Sequence, residues 1–487
     1  MSRPPDSSST YLLPAVLTGL FLAALALRFW RLGQFNTLVF DEVFYVRFAV
    51  DYLRQQPFFD AHPPLSKYLI ALGIALVNPL TQAFGLASNT EAGIWLSPWS
   101  YRWVSALAGA CLPPLVALLA YRLSVRYRLQ HRLIFSGVAG GLMLLEGLTL
   151  VESRFGLINI YWLLFGLLGQ VGLLRAAGQR QRWMGLLGAG IAFGCAIATK
   201  WNGAGFLLGI YLLWGMSRLP RQFFWHRGVP SAIRQLTGSE LLAYGGLVPL
   251  GAYALIWLPH LRLMGVSLLE IHGQLWQAHQ FIGADANAHP YCSTWYSWPL
   301  LLRPVAYFYR AVTSTSEGLP PGEYVVQGLG NPILWWLSTA AILALLGREL
   351  SRWRKAARTG WVYSLRHPSS QPPAERSLAD KYPDRDLQAD PIAVFLLVNY
   401  AANWLPWAFV QRCTFLYHYM GALAFSVVAI AYLLTRWLIH DRKSSRQPAL
   451  LLLGLIGLAF CFWLPVYLGL RLSPEALSWR WWLESWI

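Results

Sequence analysis

Long apolar runs recur along this chain from end to end, and short basic loops separate them. A helix needs roughly 20 apolar residues to cross the hydrocarbon core of a bilayer, and Tyr11 to Phe29 is the first run of about that length. In lipid every backbone polar group must be satisfied within the protein, so runs of this length imply helices. Only 13% of the residues are charged, against about a quarter in soluble domains. The expected fold class is an all-α polytopic membrane protein, with residues 1–487 forming one membrane-embedded unit. The first run exceeds a signal-peptide core and no small-residue cleavage site follows it, so it reads as a retained helix.

The formal net charge of +17 would suggest nucleic acid in a soluble protein. Here the basic residues fall mainly in short loops, as positive-inside topology requires, and no nucleic-acid partner is expected. "YRLSVRYRLQHR" (121–132), "RAAGQRQR" (175–182), "RLPRQFFWHRG" (218–228), the stretch 348–390 and "RWLIHDRKSSR" (436–446) are the cytoplasmic loops. Threading helices between them gives about 11 transmembrane helices, with the N-terminus inside and the C-terminus outside. Residues 31–100 form a first outer loop with amphipathic helices at the membrane surface, and 261–330 a second, rich in Trp, Tyr and His. Within 348–390, the Ser- and Pro-containing part from 360 reads as a poorly ordered linker. The five cysteines, at 111, 195, 292, 413 and 461, are far apart and suggest neither a disulfide framework nor a metal pattern.

The same threading sorts the ionisable residues at helix ends. Asp41, Glu42 and His62 lie in the first outer loop, and Arg102 begins the second helix. Glu152 and Arg154 end the third, Lys200 ends the fifth, and Arg412 and His418 stand at a later outer turn. Each has an ordinary explanation: Asp41 as a helix N-cap, His62 as a turn residue before Pro63 and Pro64, the cations as interfacial anchors. Together they bring carboxylates and cations to one membrane face, and costly ionisable groups at membrane depth mark a functional site. Such a cluster suits group transfer from a lipid phosphate. Cations neutralise the leaving phosphate, and a carboxylate takes the proton from an attacking hydroxyl. A transporter of lipid-linked sugars would instead carry charges along a path through the helices.

At these residues the chain resembles the protein O-mannosyltransferases, integral-membrane glycosyltransferases of the GT-C type, and in particular their compact bacterial members. The resemblance is carried by "FDEVFYVRF", "PFFDAHPPLSK" (57–67), "YRWVSALAGACLPPL" (101–115), "VESRFGLINIYWLLF" (151–165), "GCAIATKWNGAGF" (194–206), "NWLPW" (403–407) and "RCTFLYHYMGALAFS" (412–426). Glu152 stands where the family commonly has Gln, and Asn159 where it commonly has Asp. The resemblance implies inverting transfer of mannose from polyprenyl-phosphate mannose to Ser or Thr of secreted or membrane proteins met at the translocon. It implies a bacterial plasma membrane, with the active site on the extracytoplasmic face among membrane lipids. Asp41 is the implied general base and Glu42 its helper. His62, Arg102, Arg154, Lys200, Arg412 and His418 are the candidates for the donor phosphate and sugar. A divalent cation is compatible with this class, although no ligand spacing demands one. A related GT-C enzyme acting on a lipid acceptor such as lipid A is the alternative.

Overall fold

The computed structural model describes residues 7–176, 179, 181–220, 224–281, 289–312, 321–366, 388–440 and 443–487. The chain enters through α1 (Ser7–Phe29). Two shorter helices follow, α2 (Glu42–Leu53) and α3 (Leu65–Ala83), where the sequence places its amphipathic pair. They pack on each other and α3 packs on α4 (Pro98–Ala110). α4 and α5 (Leu112–Leu123) form one crossing of 26 residues, jointed at Cys111. Pro113 and Pro114 follow the joint, where a first helical turn tolerates the missing N–H groups.

The next crossing departs from the unbroken third helix expected. α6 (Leu129–Leu144) and α7 (Gly147–Ser153) meet at 62°. Glu146 causes the break by capping α7: its carboxylate accepts from the backbone N–H of Leu148 at 2.9 Å and Thr149 at 2.7 Å. A carboxylate is favoured there because the first N–H groups of a helix lack partners.

α8 (Asn159–Ala176), α9 (Arg182–Thr199) and α10 (Ala204–Met216) follow in sequence. α11 (Gly238–Met264) contains a π turn over Leu241–Leu247. α12 (Leu268–Phe281), α13 (Pro332–Arg366), α14 (Pro391–Trp404), α15 (Met420–Leu438) and α16 (Lys443–Leu468) complete the helices used below. Every residue of α15 from Met420 to Tyr432 is buried, so this apolar helix forms the centre of the bundle.

Among the described residues, eight helices are long and apolar enough to cross a membrane, or nine if the bent α6–α7 pair counts as one. The threading to about eleven also counted α8 and α10. α10 has 13 residues, about 20 Å at 1.5 Å per residue, short of the ~30 Å hydrocarbon core. Of the stretch expected as a cytoplasmic linker, α13 continues to Arg366 and 367–387 lie outside the described residues.

The second outer loop adds strands to the otherwise helical fold, and the expectation of no disulfide needs correction. The loop contains β1 (Val305–Val312) and β2 (Gly322–Gly328), antiparallel, with β3 (Arg471–Leu472) on the far side of β2. The Val- and Tyr-rich segments have strand composition, which the helical periodicity elsewhere overshadowed. Cys292 and Cys413, 121 residues apart, form a disulfide with Cα atoms 5.2 Å apart. Cysteine spacing carries no connectivity over such a distance. Ser293 and Thr414 beside the disulfide exchange hydrogen bonds of 2.7 and 2.8 Å, clipping the second outer loop to the turn before α15.

Candidate active site

Asp41 immediately precedes α2, and its side chain makes no capping bond. It is half-buried. The residue before it, Phe40, has φ of +52°, a left-handed conformation that costs a bulky residue of order 1–3 kcal/mol. The Phe40 ring is held in that position by stacking on Tyr307 of β1 at 4.3 Å. Burial raises the Asp41 carboxyl to about 6, against the pull of Lys200 and with a push from Asp60.

Glu42 is fully buried and fully used. It accepts from the backbone of Val39 and Gly156 and from Arg102 through both oxygens, at 2.7 to 2.8 Å. Arg102 spends its remaining donors on the carbonyls of Leu32, Phe35 and Thr37. This pair ties the Asp41 loop to α4. Arg154 Nη1 bonds the carbonyls of Leu27, Arg28 and Trp30, closing the C-terminal end of α1. Such caps satisfy carbonyls that the helix leaves unpaired. His418 is buried with Nδ1 on the Phe415 backbone and its ring 4.4 Å from Trp407.

His62, Lys200 and Arg412 meet elsewhere, in the wall of a cleft of about 830 Å³. One part of its lining adds Trp201, Asn202, Trp276, His279 and Gln280. Another comes from α10 (Ala204, Gly205, Leu208) and α14 (Ala402, Asn403), with Pro406 and Phe409 beyond. Ala204, Leu208 and Phe409 are exposed, so the cleft is open along this wall. Burial lowers the Lys200 ammonium to about 7, reinforced by Arg412 and opposed by Glu152, Asp41 and Asp60. Burial also lowers His62, while Asp60 opposes it. The eight residues to which the family resemblance assigns roles thus divide. Three line the cleft, Asp41 lies within electrostatic reach of Lys200, and Glu42, Arg102, Arg154 and His418 are bonded into the scaffold.

Several site residues were not singled out. Asp60 pairs with Lys67, which also bonds the carbonyls of His62 and Pro63. Burial would raise Asp60, but Lys67 and then His62 hold it well below the usual carboxylate range. "DAHPPLSK" displayed this acid and base, at a spacing that only a turn brings together. His279, edge-on to His62 at 6.2 Å, had no signal beyond the loop's histidine content. Among the described residues no group of three or more His, Cys, Asp or Glu could hold a metal ion.

Residues 18–260 match the protein family described as dolichyl-phosphate-mannose-protein mannosyltransferase. Residues 264–486 match the C-terminal four-transmembrane region of protein O-mannosyltransferase. The chain belongs to the protein O-mannosyltransferase family. It is therefore a multi-pass membrane glycosyltransferase. The polyprenol-phosphate-mannose–protein mannosyltransferase of Mycobacterium tuberculosis is 25% identical, over 97% of this chain and 91% of its own length. That of Mycolicibacterium smegmatis is also 25% identical, over 99% and 94%. Protein O-mannosyltransferase 1 of Drosophila pseudoobscura is 34% identical over 50% of this chain and 26% of its own. In fold, the chain is similar to the Saccharomyces cerevisiae Pmt1-Pmt2 complex bound to its sugar donor. That match has a TM-score of 0.70 and 15% identity, over 100% of this chain and 93% of that one.

Proposed function

We propose that the protein transfers mannose from a polyprenyl-phosphate mannose to Ser or Thr hydroxyls of exported proteins, at the extracytoplasmic face of a bacterial plasma membrane. The observation that carries this reading is the juxtaposition of Asp41, raised to about 6, with a cleft whose cations are Lys200 and Arg412. The two mycobacterial relatives, matched over nearly their whole length, carry that donor and a protein acceptor in their names.

The donor phosphate sits at Lys200 and Arg412, and its polyprenyl chain lies in the groove between α10 and α14. An acceptor hydroxyl attacks the anomeric carbon from the side opposite the phosphate. The carbon–oxygen bond to phosphate breaks as the new glycosidic bond forms, so configuration inverts. Asp41 takes the hydroxyl proton, and the two cations stabilise the charge that returns to the phosphate. Glu42, Arg102 and Arg154 hold the loop that presents Asp41.

The test is radiolabelled mannose transfer from the lipid donor to a Ser/Thr-rich peptide, with mass spectrometry of the product. Asp41→Asn should lose about 10²–10⁴-fold in rate, the usual worth of a general base, while still binding donor. Wild-type turnover by that variant would remove Asp41 as the base. A labelled lipid in place of labelled peptide would reassign the acceptor.

A further inference from the structure

Lys200 does not reach the cleft unsupported. Its Nζ donates to Asn159 Oδ1 at 3.0 Å. The other end of that amide donates to both oxygens of Glu152 at 3.3 Å. Glu152 also accepts from the phenol of Tyr307. All four side chains are buried. The Asn159 amide has one orientation that serves both neighbours, because an ammonium needs an acceptor and a carboxylate a donor. Glu152 is only ever an acceptor in these contacts, as an ionised carboxylate must be.

Three elements deliver the parts. Glu152 lies on α7, aimed by the break at Glu146, and Asn159 opens α8. Tyr307 comes from the second outer loop, where the register of β1 against β2 shifts between Ala306 and Phe308. A bulge of this kind re-aims a side chain out of the ladder. The same ring stacks on Phe40 beside Asp41.

We propose that Glu152, Asn159 and Tyr307 form a positioning relay that orients the Lys200 ammonium and keeps it charged where the donor phosphate binds. This rests on the reading above that Lys200 meets that phosphate. The groups bearing on Lys200 are the carboxylates of Asp41, Asp60 and Glu152 and the guanidinium of Arg412. The imidazoles of His62, His279 and His418 and the Tyr417 ring at 5.1 Å complete the set. The Glu152 carboxylate is the member of this set linked to Lys200 through a single amide. Its charge raises the affinity of Lys200 for a proton, against burial and Arg412. Tyr307 keeps Glu152 in place only while the second outer loop is seated.

The experiment is the pH dependence of kcat/KM and the donor KM of the full-length protein in membranes or nanodiscs. Wild type, Lys200→Ala, Glu152→Gln, Asn159→Asp, the double variant Glu152→Gln/Asn159→Asp and Tyr307→Phe are compared. Glu152→Gln should move the alkaline limb to lower pH by roughly one unit, the effect of losing one nearby charge, and should raise donor KM. Asn159→Asp should move the limb upward. The double variant, which returns a single carboxylate, now directly on Lys200, should recover donor KM to within about threefold. Tyr307→Phe should reproduce Glu152→Gln in weaker form. Unmoved alkaline limbs in the Glu152, Asn159 and Tyr307 variants, or a double variant no better than Glu152→Gln, would overturn the relay. Lys200→Ala with an unchanged donor KM would instead overturn the placement of the phosphate, whichever way the other variants fall.

Discussion

A carboxylate and an ammonium whose proton affinities have been pushed toward each other define a narrow working range. As the proposed base, Asp41 works only when ionised, and burial raises it to about 6. As the proposed phosphate ligand, Lys200 works only when protonated, and burial lowers it to about 7. The rate should therefore rise with pH through the first value and fall through the second. kcat/KM, which reports the free enzyme, is expected to be bell-shaped with limbs near those two values. Bound phosphate raises Lys200, so the alkaline limb of kcat should lie at higher pH than that of kcat/KM. Coincident limbs in the two profiles would contradict a phosphate at Lys200. Arg102 makes the opposite expectation. All its donors face Glu42 or backbone carbonyls, and breaking one partner of a buried pair costs about 3–5 kcal/mol. Arg102→Gln should lower the thermal midpoint in detergent while the folded fraction keeps the donor affinity of wild type. A donor affinity lost without loss of stability would return Arg102 to the phosphate. From sequence, Arg102 and Lys200 looked alike, as cations at helix ends on one membrane face. What separates them is the direction each side chain takes and what it meets, and one-dimensional spacing does not contain that. Glu152 and Asn159 were legible as departures from the family pattern. That they touch, so that carboxylate and amide have changed places within one contact, needed the break between α6 and α7.

At the scale of elements, the wall of the cleft is built by close approach. Gly205 and Gly209 of α10 face Asn403 and Asn399 of α14. A Cβ at Gly209 would collide with the Asn399 side chain, and small residues let membrane helices approach this closely. Asn399 and Gln170 of α8 bond each other inside the same seam. The other wall depends on the Cys292–Cys413 disulfide, because Cys413 adjoins Arg412. Reduction, or Cys413→Ser, should leave the helices intact by circular dichroism and lower transfer by about tenfold, equivalent to ~1.4 kcal/mol in the barrier. Full activity after verified reduction would show that the hydrogen bonds between Ser293 and Thr414 suffice. The helices were readable in the sequence because lipid imposes both length and apolarity on them. The hairpin was not, since two strands in an outer loop obey neither constraint.

Over the whole molecule, one arrangement stands out: a cleft partly walled by α10 and α14 is lined near helix ends and turns by His62, Lys200 and Arg412. The gathering of acids and bases at helix ends was legible in the sequence, and the cysteine pairing and the α10–α14 seam were not, because both are long-range contacts. The exposure of Leu208 and Phe409 in the cleft wall between α10 and α14, where the polyprenyl chain of the donor is proposed to lie, has a kinetic consequence. A substrate that enters from the side is met by diffusion in two dimensions. Its effective concentration is then its mole fraction in the bilayer, and the volume of the aqueous phase does not enter. At constant total donor and saturating acceptor peptide, adding inert phospholipid should lower the rate in proportion to surface dilution, while adding buffer should leave it unchanged. A rate that followed buffer volume would mean entry from water.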